Sequence, residues 1–357
     1  MSYKKRVYRG FAHQSGLTII ELMIAMLLSL VLMASVVQIF LSSKQTFNLQ
    51  SAQSRIQEDG RLAMYFLPRY IRMADFQGCL SRQQYNTNVI ANATVKCPSK
   101  KDCAPDLDLS TWDPNGGITG EDNVASGKKV GDKDVIPGTD TINIQYIGSC
   151  GGHLKNNMDA DNAMIQINAD NTCNLKPDWP FMITDCLDAD IARATSVSNG
   201  TTTQTIAHAN NVNTDNKLSK AYQADAEIFA LQSFTYFVAQ NTIGNNSLYR
   251  RDNLSGQSDE IVEGVEDLQV LYGEDSNDDK AANYYVDAKT TNAMEKVVSV
   301  KVSLLLRSVS EGNVTSKPVA YTFNNVTYND GTTPAPLVDR QLRKVFTSTI
   351  TLRNRLP

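Results

Sequence analysis

At 357 residues, 41 % hydrophobic and 8 % aromatic, the chain has room for one large or two modest domains and is too apolar for wholesale disorder. A formal net charge of −4 supplies no global attraction to nucleic acid, and no fixed-period repeat is visible.

The N-terminus carries Lys4, Lys5, Arg6 and Arg9, with no acid in residues 1–16. Residues 22–43 then contain no charge before Lys44. As a helix such a run spans about 33 Å, enough to cross a bilayer core. Basic residues ahead of the span predict a cytoplasmic N-terminus and an exported remainder. An ordinary secretory signal is cut after its apolar run. Here the predicted scissile point, Gly16-Leu17, precedes it. Removing residues 1–16 takes away four cations and no acid, so the formal net charge moves from −4 to −8. Glu21 is the one charge within the hydrophobic stretch, and a lone carboxylate in hydrocarbon costs a few kcal/mol. The free amine made by cutting after Gly16 is its predicted partner, in the same subunit or a neighbour.

The segment SGLTIIELMI, residues 15–24, resembles the class III signal of type IV prepilins and pseudopilins. The resemblance implies a dedicated membrane peptidase that recognises Gly16 and the basic leader, cuts after Gly16 and methylates Leu17. Family members usually carry Phe at the new first position; Leu17 departs from that pattern.

Beyond Lys44, the apolar positions Phe47, Leu49, Ile56, Leu62, Met64, Tyr65, Phe66, Leu67, Ile71 and Met73 recur at roughly helical intervals. One helix over 17–75 is therefore predicted, kinked near Pro68 or Gly60. Residues 77–138 read as a loop-rich stretch with Cys79, Cys97 and Cys103. Strands are predicted over 139–147, 164–168, 181–184 and 228–239, and again over 297–306 and 345–352. Residues 195–220 read as a surface loop or boundary, and 261–272 is ambiguous between helix and strand. The expected organisation is a leader (1–16), a transmembrane and amphipathic helix (17–76) and a β-rich periplasmic domain (77–357). The fold class is α+β, the helix docked on mostly antiparallel sheet. Six cysteines, at 79, 97, 103, 150, 173 and 186, would face an oxidising compartment and form disulfides. Sequence does not choose their connectivity; Cys173 with Cys186, flanking a short apolar stretch with turn residues, is the preferred pair.

Residues 61–79 (RLAMYFLPRYIRMADFQGC), 263–273 (EGVEDLQVLYG) and 344–356 (KVFTSTITLRNRL) resemble the PilW-type minor pilins. That resemblance implies a pilin-like fold and a non-enzymatic assembly component at the pilus tip. Implied partners are other minor pilins, the major pilin, a tip adhesin, the prepilin peptidase, the inner-membrane assembly platform, and the lipid bilayer before assembly. Glu21 would set subunit register by pairing with the Leu17 amine. A minor pseudopilin of type II secretion shares the signal and topology. A tethered periplasmic binding or enzymatic domain would instead keep its leader.

Two other constellations have plainer readings. Ser149, Cys150 and His153 (GSCGGH) superficially form a nucleophile turn, but His153 is a sequence neighbour with no orienting third group, so a disulfide at Cys150 is preferred. Asp275, Asn277 and Asp279 alternate as in a calcium loop, yet Lys280 and Val286 stand where the loop needs Gly and Glu, so an acidic turn is preferred. No zinc-type cluster, phosphate loop or dinucleotide fingerprint occurs, and no cofactor and no direct nucleic-acid contact are expected.

Overall fold

The structure is a computed structural model describing residues 18–79, 87–91, 117–291, 294–309, 314–315, 317–328 and 340–356. Gly16, Leu17, Cys97 and Cys103 lie outside the described residues. Residues up to Ser51 form one compact unit and Ala52–Pro357 a second.

A single helix spans Ile19–Ile71. Its end is fixed locally. Pro68 has no N–H to donate, but the turn it sits in still closes, with the Arg72 amide donating to Pro68 O at 3.1 Å. The chain then tightens into three-residue turns, Met73 to Tyr70 and Ala74 to Ile71, and Asp75 leaves the helix at φ +59°. The buried face is Ala52, Ile56, Gly60, Ala63, Leu67 and Ile71, spaced by three and four residues. Half of that stripe is Gly or Ala, so it is not the stripe that large apolar residues mark. Phe47, Leu62 and Tyr65 are exposed. Gly60, expected as a kink, is a seat: a Cβ there would lie 2.2 Å from the Phe346 ring. Only glycine lets the strand carrying Phe346 approach this closely.

The globular unit is built on an eight-stranded sheet around Glu227–Gln240. One edge of that strand pairs with Thr141–His153. The other is shared, by Pro180–Thr184 at its start and Asn246–Asp252 at its end. Ile118–Glu121, Ala189–Arg193 and Ser258–Glu263 extend the sheet outward, all antiparallel. Thr87–Val89 adds a parallel pairing to Ala189–Arg193. Both faces of the central strand are covered over most of its length, which explains its largely apolar sequence. Phe234, Tyr236 and Val238 join the core that contains the helix, while Phe237 and Ala239 join Val124, Val135 and Tyr249 in another cluster.

A second sheet, four antiparallel strands, is ordered Tyr284–Val286, Val265–Glu274, Val297–Arg307, Arg343–Thr351. The ambiguous stretch 261–272 is thus strand, but in two pieces belonging to different sheets. Gly264 makes the break at φ +81°, donating to Asn246 O on one side and accepting the Arg307 amide on the other. A Cβ there would come within 2.6 Å of Arg307 O. Ile56, Leu67 and Ile71 of the helix share one core with Ile142 and Ile144 of the large sheet and Val270, Val302 and Leu304 of the small one.

Two expectations fail here. Residues 195–220 are not simply loop: Ser196–Asn199 and Thr203–Ala207 form a hairpin that joins Ile165–Asn168 in a three-stranded sheet. Cys173 does not pair with Cys186. The disulfides are Cys79–Cys186 and Cys150–Cys173. The apolar stretch between 173 and 186 contains the extended strand Pro180–Thr184, which carries the chain roughly 17 Å from where it entered. Cys186 lands in the following turn, and its bond ties that turn to the segment just after the helix. The Cys79–Cys186 bridge spans 107 residues and the Cys150–Cys173 bridge 23. Replacing Cys79 and Cys186 by serine should therefore cost more, about 5 kcal/mol against about 3 kcal/mol. Urea unfolding of the detergent-solubilised protein checks the order; a reversed ranking would show that loop closure is not what these bonds contribute.

Candidate assembly site

Thr18 is the N-cap of the long helix. Its carbonyl accepts the Leu22 amide at 3.1 Å, and its hydroxyl accepts the Glu21 amide at 3.3 Å. The Glu21 carboxylate reaches back to accept the Thr18 amide and hydroxyl, both at 3.0 Å. This is a reciprocal capping box, satisfying amides that the first turn leaves without helical partners. Glu21 thus has a short-range role that its position in an apolar run did not reveal, although T-x-x-E was readable.

From Ile19 to Leu41 the large apolar side chains are exposed. The polar residues among them cost little: Ser29 donates to Met26 O at 2.8 Å and Ser35 to Val31 O at 2.9 Å, so neither hydroxyl needs water. The helix is long and apolar enough to cross a membrane. It presents an apolar surface with a carboxylate at its N-terminal end.

The other end of the helix is clamped by the chain's last residues. Asp75 and Arg355 form an ion pair with side chains 2 % and 0 % exposed. Arg355 also donates to the carbonyls of Met294 and Val297, and Asp75 accepts the Gly117 amide at 2.5 Å. Asn354 donates to Arg72 O at 3.0 Å and Ala74 O at 2.9 Å, satisfying carbonyls at the helix end. Nearby in sequence, Arg343 grips Glu266 through two bonds of 2.6 and 3.0 Å, with Arg307 at 3.4 Å. The three stretches that carried the resemblance, at 61–79, 263–273 and 344–356, therefore belong to one packed neighbourhood.

A buried acidic group lies at the junction of the two sheets. Asp140 accepts the amides of Asn123 at 2.8 Å and Val270 at 2.7 Å. Burial, reinforced by Asp122 and Asp267, pushes its carboxyl up to about 7, and burial pushes Asp267 up to about 6. With folded values above the unfolded ones, both carboxyls hold protons in the folded chain that the unfolded chain has released. Their stability contribution is complete at about pH 4 and is lost as pH rises through 6 and 7. Stability should fall from pH 5 to pH 7 by about 1.4 kcal/mol per pH unit for Asp140 alone. Asp267→Asn, which keeps an oxygen for the Gln269 amide, should flatten the part below pH 6. A profile that rises across this range would contradict the assignment.

The remaining candidates resolve into structure. Cys150 is bonded to Cys173, so it supplies no thiolate. His153 is exposed and has Nδ1 3.3 Å from Glu227 Oε1. His208 is buried and is 2.9 Å from Ala163 O through Nε2. Asp275 accepts the amides of Asn277, Asp279 and Lys280, at 3.3, 3.2 and 2.8 Å, and Asp279 accepts that of Ala281 at 2.9 Å. Oxygens that alternate as in a calcium loop are here aimed at the turn's own amides.

The family model for the type IV pilus-assembly protein W matches residues 235–354. The prokaryotic N-terminal methylation motif matches residues 11–37. No curated protein matches the chain. Among solved structures, the type IV-like pilin TTHA1219 from Thermus thermophilus is similar at 19 % identity over 35 % of this chain and 67 % of that one. Its TM-score of 0.21 is too low to bear on the fold. The methylation motif lies over the start of the apolar helix and the PilW model over the last third of the chain, so over those residues the chain is similar to type IV pilus-assembly proteins of the PilW type.

Proposed function

We propose that the chain is a minor pilin that helps to initiate type IV pilus assembly within a priming complex at the tip. The observation that carries this is the exposed apolar helix opening on the Thr18–Glu21 box inside the matched methylation motif. In this reading the peptidase cuts after Gly16 and methylates Leu17 while the helix sits in the inner membrane. The assembly platform then moves the helix from lipid into a bundle with other minor pilins and the major pilin, keeping its apolar surface from water throughout. The role is mechanical and non-enzymatic. A tip adhesin sits on this complex, and the pilus it starts supports twitching motility, adhesion and DNA uptake.

The test is the N-terminal mass of protein recovered from membranes and from sheared pili. A chain beginning at methylated Leu17 in both fractions is expected. A processed chain absent from pili, with exoprotein secretion lost on deletion, would assign it to type II secretion instead. A chain still beginning at Met1 would remove the assembly mechanism.

A further inference from the structure

The large sheet has two unlike faces. Ile142, Ile144, Phe234 and Tyr236 point to the core beneath the helix. The alternate residues of the same strands, Thr141, Asn143, Gln145, Ser233 and Thr235, line an open groove of about 370 Å³ on the opposite side. The short hairpin Lys129–Val130 and Lys133–Asp134 contributes Lys129, Val130 and Gly131 to its wall.

Two features make this more than a polar surface. Gln145 is only 6 % exposed, and its Oε1 accepts no hydrogen bond. A buried acceptor left unpaired is costly, so the site carries an unmet demand for a donor. Arg251 is 7 % exposed, and its side chain donates to Gly256 O at 2.7 Å with no carboxylate in salt-bridge range among the described residues. Gly131 makes room for it: at φ +64°, a Cβ there would lie 1.9 Å from Arg251 Nη1. Between them lies an ordered floor. Asn253 donates to Asn143 Oδ1, Ser233 Oγ and Thr235 Oγ1 at 3.1, 2.9 and 3.0 Å.

The lining also restricts the ligand class. Among the described residues it contains no aromatic side chain, so a nucleobase or the apolar face of a neutral sugar finds no stacking platform there. Its charged groups are Lys128, paired with Glu121, Lys129, paired with Asp134 at 3.2 Å, and Arg251, which among the described residues has no carboxylate partner. Clustered hydroxyls and amides, an unpaired acceptor and an uncountered guanidinium together match a ligand bearing many hydroxyls and one carboxylate. The volume falls at the small end of ligand pockets.

We propose that this groove is a binding site for a carboxylated saccharide, with Arg251 taking the carboxylate and Gln145, Asn143 and Thr119 taking hydroxyls. A bidentate guanidinium–carboxylate contact gives charge and orientation together. The site lies on the globular unit and does not depend on how the helix assembles, so the test can fail independently of the pilus reading.

The test is saturation-transfer NMR with the full mature protein in detergent, titrating N-acetylneuraminic acid and glucuronic acid against galactose and N-acetylglucosamine. Saturable binding of the acidic sugars, at least tenfold tighter than the neutral ones and weakened by salt, is expected. Arg251→Gln should abolish that preference. Because Arg251 is buried and could affect folding, Lys129→Glu and Thr119→Val at the groove's wall serve as the second readout; each should weaken acidic-sugar binding several-fold with the melting temperature unchanged. Equal binding of acidic and neutral sugars, no saturation at 10-millimolar order ligand, or insensitivity to all three substitutions would overturn the proposal.

Discussion

Glu21→Gln is expected to be cut and inserted in the membrane as the parent chain is, yet to enter pili at least tenfold less. The substitution separates two roles that alanine would remove together. Glutamine at the third helical position still reaches back to the Thr18 amide, so the capping box persists. What disappears is the charge. A carboxylate in an apolar environment costs a few kcal/mol unless a cation meets it, and the amine exposed by cutting before Leu17 would be four residues away in sequence or on a neighbouring subunit. If pairing sets the register of subunits, losing about 1.4 kcal/mol of it already means a tenfold change. Glu21→Ala loses the cap as well, worth about 1 kcal/mol, and should be at least as deficient. The measurement is the ratio of this protein in sheared pili to that in membranes, by immunoblot. Wild-type incorporation of the Gln variant alongside a defective Ala variant would leave Glu21 with the cap alone.

The parts of the fold legible in sequence were those governed by short-range periodicity. An uncharged run of bilayer length announces its helix, and alternation in 297–306 announces its strand because one side of that strand meets the core. Other parts depended on partners far away in the chain. Ala189–Arg193 lacks any apolar alternation because Asp190 and Arg193 are buried within it. Asp190 is held by the Ser219 amide and hydroxyl and by the Tyr222 hydroxyl, none of which is near in sequence. The helix's docking stripe was hidden for a different reason: Gly60 and Ala63 bury by closeness, not by size, and no hydrophobicity scale marks them. Disulfide pairing followed the path of the intervening strand, which proximity in sequence misreads. At the site, Glu21 stood out as a charge among apolar residues, while the Asp75–Arg355 clamp joined two residues 280 positions apart with nothing local to mark either.

That clamp carries an expected stability effect as large as that of the Cys79–Cys186 bridge. Arg355→Met should destabilise the globular unit by about 3–5 kcal/mol, because it strands the Asp75 carboxylate in the interior and strips a donor from the carbonyls of Met294 and Val297. Asp75→Asn should cost a similar amount by leaving the guanidinium buried without its counter-charge. The double variant should cost clearly less than the two single effects combined, since each substitution removes the penalty the other creates. Arg353→Ala, at an exposed position in the same short turn, should change stability by less than about 0.5 kcal/mol. Asn354→Ala should fall between them, at about 1 kcal/mol, through its two bonds to the helix end. Additive single effects in denaturant unfolding would mean that Asp75 and Arg355 are stabilised by separate surroundings. Coupling of 2 kcal/mol or more would make the chain's last residues the element that fixes the end of the helix. A buried pair supplies such a fixed end where an exposed one, worth less than about 1 kcal/mol, would not.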